Sequence, residues 1–176
     1  MYYFIVNPGS RSGNGKTVWK RVEKILEQEQ VEYRVFFTSY RYHATKLARE
    51  ITSRNEKLTL VTVGGDGTVN EVVDGIQNFE KTTFAYIPTG SSNDFARSLK
   101  LPSNPEAALM NILHPSYFRK IDLGLMTYGA RTRRFAGSFG CGFDAAGCQE
   151  ALGSPIKNAL NHFGLGKLTY VGIALK

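Results

Sequence analysis

Four short apolar runs alternate with segments of helical periodicity, and this alternation is the feature that most constrains the fold. The runs are rich in Val, Ile, Phe and Tyr, as expected of buried strands, and they cover residues 2–6, 31–37, 58–63 and 82–87. The segments between them repeat apolar side chains at helical spacing. Such alternation predicts an α/β fold, with a parallel sheet covered by helices on both faces.

Glycine-rich turns follow the first, third and fourth of these runs, at residues 7–13, 64–70 and 88–94. Parallel strands end at a common edge of the sheet, and ligands bind beyond that edge. We therefore expect the three turns to meet in one crevice. Glycines allow close approach of the backbone to a ligand, and free N–H groups at helix starts favour phosphate.

The second turn, at residues 64–71, has the sequence GGDGTVNE and carries a carboxylate among its glycines. A carboxylate repels phosphate, so we expect Asp66 to face a Mg²⁺ ion or to accept a hydrogen bond from a hydroxyl group. Thr68 and Glu71 have the spacing of a capping box at the start of the next helix. An Asp-Gly pair alone would be better explained as a tight turn, but the whole octapeptide favours the phosphate and metal interpretation.

The other two turns carry different polar groups. In the segment PTGSSNDFAR, at residues 88–97, Ser91 can offer a hydroxyl and an N–H group to phosphate, and Asn93 or Asp94 can cap the following helix. In the first turn, Arg11 can reach a phosphate. Residues 15–17 match the end of a phosphate-binding loop of the GxxxxGK[ST] type, but the required first glycine is replaced by serine, which argues against that motif.

The pattern changes near residue 120, where strands are expected at 119–126 and 133–139, around a turn at 128–130, and would be antiparallel. Residues 140–146 read as a loop, followed by two helical stretches, of which the second covers 167–176. We predict a nucleotide-binding domain at 1–122 and the start of an incomplete, β-rich second domain at 123–176.

Together, the three turns resemble the catalytic domain of the diacylglycerol kinase superfamily, which includes bacterial lipid kinases, ceramide kinases and sphingosine kinases. GGDGTVNEV at 64–72 and PTGSSNDFAR at 88–97 match this family in order and spacing, as does Asn7-Pro8, and the match continues through 142–145 and 166–170. GGDGT alone is shared with NAD kinases and, in variant form, with phosphofructokinases. The resemblance implies a three-layer parallel-sheet nucleotide-binding domain of the NAD-kinase and phosphofructokinase type.

The resemblance also implies an ATP site with Mg²⁺, in which Asp66 has the catalytic and metal-binding role. The positions that match nucleotide contacts of the family are Asn7, Ser10, Arg11, Thr38, Gly64, Gly65, Asp66, Gly67, Thr68, Asn70 and Ser91. The family usually has Thr at the position of Ser91, which keeps the hydroxyl. His43 also matches a family position, but a packed or solvated role is favoured for it. The family's general base and further metal-binding acids are expected beyond Lys176, so the chain is interpreted as truncated.

The predicted function is ATP-dependent transfer of the γ-phosphate to a lipid hydroxyl, such as that of diacylglycerol. The net charge of +7 favours an anionic partner. We expect a cytoplasmic protein that binds a membrane surface peripherally and that can form a homodimer. No apolar run approaches the roughly 20 residues of a membrane span. The basic residues are not interleaved with aromatic residues in a nucleic-acid motif, so no nucleic-acid partner is expected. The alternatives are an NAD kinase and a non-catalytic nucleotide-binding fragment.

Overall fold

The structure is a computed structural model that describes residues 1–137. Its elements, in chain order, are β1 (Tyr2–Val6), α1 (Ser10–Gln28), β2 (Tyr33–Phe37), α2 (His43–Thr52), β3 (Leu58–Gly64), α3 (Asp66–Gly75), β4 (Thr82–Pro88), α4 (Asp94–Ser98), α5 (Pro105–Leu113), β5 (Gly124–Tyr128) and β6 (Arg131–Phe135).

The first four strands form one parallel sheet in the order β2-β1-β3-β4, which confirms the predicted parallel sheet. The chain moves outward from β1 to β2 and then returns to the other side of β1 for β3 and β4. The order therefore reverses between β1 and β3, and parallel α/β sheets bind their ligands at such a reversal, beyond the carboxyl ends of the strands.

Helices cover both faces of this sheet, which confirms the three-layer prediction. In β1, Phe4 and Val6 pack into a core with α1 and α5, whereas Tyr3 and Ile5 pack into a second core with α2 and α3. Successive side chains of a strand point to opposite faces. An almost uninterrupted apolar strand therefore fits a position that is buried on both sides.

Helix α1 is assigned from Ser10, which lies inside the predicted turn at residues 7–13. Its first turn is interrupted, since Arg11, Ser12 and Gly13 all have positive φ angles of 45°, 57° and 97°. After this break the helix crosses the end of β1 so closely that a Cβ atom on Gly15 would lie 2.1 Å from the Asn7 carbonyl oxygen. Residues 15–17 therefore lie within the helix, where Gly15 is buried, whereas Lys16 and Thr17 are exposed.

The hairpin of β5 and β6 is antiparallel, as predicted, but both strands are displaced from the predicted positions. The segment 119–123 has no regular structure, and β5 begins at Gly124. Gly129 has a φ of 56°, so the chain reverses within a two-residue turn that pairs Tyr128 with Arg131.

The hairpin is attached to the end of α3. The backbone N–H of Arg134 donates to Asp74 Oδ1 over 2.9 Å, and its guanidinium donates to the carbonyl oxygen of Ile76 over 2.9 Å. The Arg133 guanidinium forms an ion pair of 3.3 Å with Asp74. These contacts fix β6 on α3, while the predicted domain boundary at residue 122 stays a prediction.

Predictions for residues 138–176, including the loop at 140–146 and the two helical stretches, lie outside the described residues. Within residues 1–137, no helix combines the length and the apolar character that crossing a membrane requires.

Candidate functional site

Side chains from the three glycine-rich turns meet at the carboxyl edge of the sheet. The side-chain amide of Asn7 donates to the Thr68 hydroxyl over 3.0 Å and joins the first turn to the second. The hydroxyl groups of Ser10 and Thr89 share a hydrogen bond of 2.6 Å, which joins the first turn to the third. The expected convergence of the three turns is therefore present.

The second and third turns touch through their backbones. A Cβ atom on Gly90 would lie 2.7 Å from Gly65 Cα, and one on Gly65 would lie 3.2 Å from Gly90 Cα. The Thr89 N–H group donates to the Gly64 carbonyl over 2.7 Å. A side chain at position 90 would therefore clash with the Gly65 backbone, and one at position 65 would fit only if the two turns moved slightly apart.

Asp66 caps the helix that follows the third turn. Its two carboxylate oxygens accept hydrogen bonds from the N–H groups of Asp94, over 3.0 Å, and Phe95, over 3.1 Å. The prediction that Asn93 or Asp94 caps α4 through its own side chain is wrong. Asn93 has a φ of 52° and turns its side chain back, so that Oδ1 accepts from the Gly90 N–H over 2.9 Å.

The predicted capping box at α3 is also wrong. The helix begins at Asp66, so Thr68 lies within its first turn, with no side-chain cap at the start of the helix. Its hydroxyl instead accepts from Asn7, and the carboxylate of Glu71 accepts from the Ala44 N–H over 3.3 Å. Both groups therefore serve long-range contacts in place of the local pair.

The start of α3 leaves donors available. Among residues 1–137, the N–H groups of Asp66 and Gly67 have no hydrogen-bond acceptor, whereas those of Thr68 and Val69 both donate to the Gly65 carbonyl. Among the described residues, a Cβ atom on Gly67 would meet nothing within 4 Å. The side-chain position of Gly67, beside these two donors, is therefore open within the described residues, and unpaired donors at a helix start suit an anion.

The remaining predicted contacts are spread around this centre. Arg11 is exposed at the break in α1, and Ser91 is exposed in the third turn. Thr38 follows β2, where its N–H donates to the Val6 carbonyl over 2.9 Å. Asn70 faces the hairpin, since its Oδ1 accepts from the Ala136 N–H over 2.8 Å. Its side-chain oxygen is thus engaged within the protein.

His43 has a packing role, as favoured from the sequence. Its Nδ1 accepts from the Ser39 N–H over 3.1 Å, and its ring stacks on Tyr40 at 4.4 Å.

Tyr86 belongs to this site although no sequence pattern points to it. Its hydroxyl lies 3.1 Å from both the Gly64 carbonyl oxygen and Asn93 Oδ1. Burial, followed by the nearby charge of Asp66, raises the pKa of Tyr86 well above its usual value of 10.0, so the phenol remains a donor. In the sequence, Tyr86 is one more apolar residue of a buried strand, and no motif includes it.

Metal-binding groups are sparse in the described part of the chain, because residues 1–137 contain no cluster of three or more His, Cys, Asp or Glu side chains arranged to hold a metal ion. Asp66 is partly exposed, and its oxygens keep lone pairs after accepting two hydrogen bonds. It can therefore offer one ligand to a cation.

Comparisons with known proteins agree with this geometry. Residues 1–126 match the model of the diacylglycerol kinase catalytic domain. The chain is 32% identical over 174 residues to "Putative lipid kinase YtlR" of Bacillus subtilis strain 168 and 34% identical over 125 residues to a diacylglycerol kinase of the same organism. A solved diacylglycerol kinase from Bacillus anthracis str. Sterne aligns with a TM-score of 0.54 and 32% identity, over 64% of this chain and 41% of the other.

The two Bacillus subtilis matches cover 96% and 68% of this chain, and they cover 56% and 40% of the respective relatives. The chain thus spans about half or less of the length of these relatives. All of these matches favour a lipid kinase over an NAD kinase. This chain belongs to the diacylglycerol kinase catalytic domain family.

Proposed function

We propose that the chain binds ATP with Mg²⁺ at the carboxyl edge of its sheet, and that the protein transfers the γ-phosphate to the hydroxyl group of a lipid such as diacylglycerol. The observation that carries this proposal is the pair of unused N–H donors at Asp66 and Gly67, in a turn that two other turns enclose. The family match supplies the reaction class.

Phosphate binding would rest on backbone groups. The N-terminus of α3 carries a partial positive charge, and its first N–H groups can donate to phosphate oxygens without any side chain. The exposed guanidinium of Arg11 would offset further negative charge. Asn7 and Ser10 would act mainly by holding the turns together, because their side chains already bond to Thr68 and Thr89.

Mg²⁺ fits this site as an ion held jointly by protein and nucleotide. Mg²⁺ commonly uses one or two carboxylates and completes its shell with phosphate oxygens and water. Asp66 would supply the carboxylate, and the two N–H groups of α4 fix its orientation. When bound, the ion would neutralise charge on the phosphates during transfer.

The transfer step requires the lipid hydroxyl to lie in line with the γ-phosphate. The hydroxyl oxygen would bond to phosphorus as the bond to the β-phosphate oxygen breaks, and a general base would take the proton. We place the nucleotide-binding domain at residues 1–122 and propose that the segment from 123 onward begins the part that meets the lipid.

The acceptor would be reached at a membrane surface. The net charge of +7 favours an anionic surface, where each Lys or Arg close to the lipid adds about 1 kcal/mol to binding. We therefore propose a cytoplasmic protein that binds the membrane peripherally.

Calorimetric titration of the chain with ATP, in the presence and absence of Mg²⁺, tests the nucleotide site. We expect saturable binding that Mg²⁺ strengthens. No binding at millimolar ATP with Mg²⁺ would refute the proposed site.

A transfer assay with radiolabelled ATP tests the acceptor, with diacylglycerol in anionic vesicles and free NAD offered separately. We expect label in the lipid fraction. Phosphorylated NAD with unlabelled lipid would refute the lipid kinase, and Mg-ATP binding without transfer to either acceptor would support a non-catalytic fragment.

A further inference from the structure

The buried hydroxyl of Tyr86 lies beneath the junction of the second and third turns. Tyr86 is 3% exposed, and its ring packs against Phe95 at 5.9 Å between centroids. The ring belongs to a small core with Val69 and Val73 of α3. Its position is therefore fixed by packing from two helices.

This hydroxyl is close to one acceptor from each turn. The Gly64 carbonyl oxygen, which ends β3, and Asn93 Oδ1, which precedes α4, both lie 3.1 Å away. The phenol has a single proton to donate. The hydroxyl therefore links the two turns either by alternating between the two acceptors or by sharing its hydrogen bond between them. An apolar side chain at this position of the core would be sufficient for the stability of the fold.

Both acceptors have other partners. The Thr89 N–H group also donates to the Gly64 carbonyl, and the Gly90 N–H group also donates to Asn93 Oδ1. Loss of the tyrosine hydroxyl would therefore leave neither acceptor unpaired, and the stability penalty for a stranded buried polar group would not apply. What the hydroxyl adds is a constraint on how the two turns lie relative to each other.

We infer that Tyr86 is a positioning residue for the phosphates of the nucleotide, since its hydroxyl holds Gly64 and Asn93 at a fixed separation. This inference rests on the proposed nucleotide site. The unused N–H groups of Asp66 and Gly67 are separated from Gly64 only by Gly65, so their direction depends on this turn. A shift of the turn by a fraction of an ångström would misalign both donors, and hydrogen bonds weaken steeply when they lose alignment.

The substitution Tyr86→Phe tests the inference because it removes only the hydroxyl. Its matched control is Tyr3→Phe, since Tyr3 is also 3% exposed, and its hydroxyl bonds to Glu56 at 3.3 Å, away from the three turns. Calorimetry on both variants and the unsubstituted chain would use Mg-ATP and inorganic tripolyphosphate as ligands. Amide hydrogen exchange at Gly90, Asp94 and Phe95 would report on the turns without any ligand.

We expect Tyr86→Phe to weaken binding of ATP and tripolyphosphate by the same factor, about fivefold or more, with faster exchange at the three amides. Tyr3→Phe should leave both ligands and all three amides unchanged. If the unsubstituted chain binds Mg-ATP and Tyr86→Phe binds it equally well, the inference is overturned while the proposed site stands. If the unsubstituted chain binds neither ligand, the proposed site and the inference fall together.

Discussion

Gly67 offers a direct test of the proposed phosphate site, because its side-chain position is open. No atom of residues 1–137 would lie within 4 Å of an added Cβ, and the φ angle of Gly67 is not positive. Gly67 is also the second residue of α3. Alanine inside a helix is favoured over glycine by about 0.5–1 kcal/mol, so Gly67→Ala should keep or slightly raise the free energy of unfolding.

Binding should change in the opposite direction. The added methyl group would stand beside the N–H of Gly67 in the space that the phosphate is proposed to fill. Displacement of the phosphate would weaken one or two hydrogen bonds to a charged group, each contributing about 1.5–3 kcal/mol. Since about 1.4 kcal/mol corresponds to a tenfold change, we expect ATP to bind at least about tenfold more weakly.

Urea unfolding followed by tryptophan fluorescence gives the stability, because Trp19 is the only tryptophan and is 3% exposed. Calorimetry gives the dissociation constant for Mg-ATP. Asn111→Ala, an exposed substitution on α5, is the control for a gain in helix propensity outside the three turns. An unchanged dissociation constant in folded Gly67→Ala would refute the placement of phosphate at the start of α3, and loss of folding would refute the steric reasoning.

Three further predictions concern stability, each measured by urea unfolding. Thr62→Val should raise the free energy of unfolding by about 1 kcal/mol, because the wholly buried Thr62 hydroxyl has no partner in residues 1–137; a loss would contradict this. Gly75→Ala should lower it by about 2 kcal/mol, because an added Cβ would lie 2.3 Å from the Thr45 carbonyl oxygen; an unchanged value would show that α2 and α3 can separate. The pKa of Tyr86 is raised above 10.0, so the tyrosine of the unfolded chain ionises first as the pH rises. The contribution of this shift to the free energy of unfolding is therefore fully present below pH 10.0 and is lost as the pH rises further. Tyr86→Phe should flatten this decline, and an equal decline would refute the assignment.

The sheet and its layers were predictable because they follow from patterns that are local in the sequence. Apolar runs between helical segments specify buried parallel strands, and the carboxyl ends of parallel strands share one edge. The glycine-rich turns after β1, β3 and β4 therefore had to lie near one another. The contact between Gly65 and Gly90 is the detailed form of that requirement.

The hydrogen-bond partners within the site were not predictable, because they join residues that are distant in sequence. The capping box at Thr68 and Glu71 is a local rule, and it failed because Asn7 and Ala44 bind those side chains from other elements. Tyr86 gave no signal, since a hydroxyl in an apolar strand reads as part of the core. The hairpin strands were misplaced because their attachment to Asp74 is also a long-range contact.

The carboxylate of Asp66 shows how the arrangement accommodates a negative charge beside the proposed phosphate site. Two N–H groups of α4 bind the carboxylate, and the start of a helix favours negative charge. The same bonds leave lone pairs that a cation could use, so capping of α4 and the proposed contact with Mg²⁺ do not compete. A neutral residue could not serve both purposes, because it would bind a divalent cation weakly and would give up charge-assisted bonds to α4. The two requirements together explain why a carboxylate stands among glycines whose backbone is suited to anions.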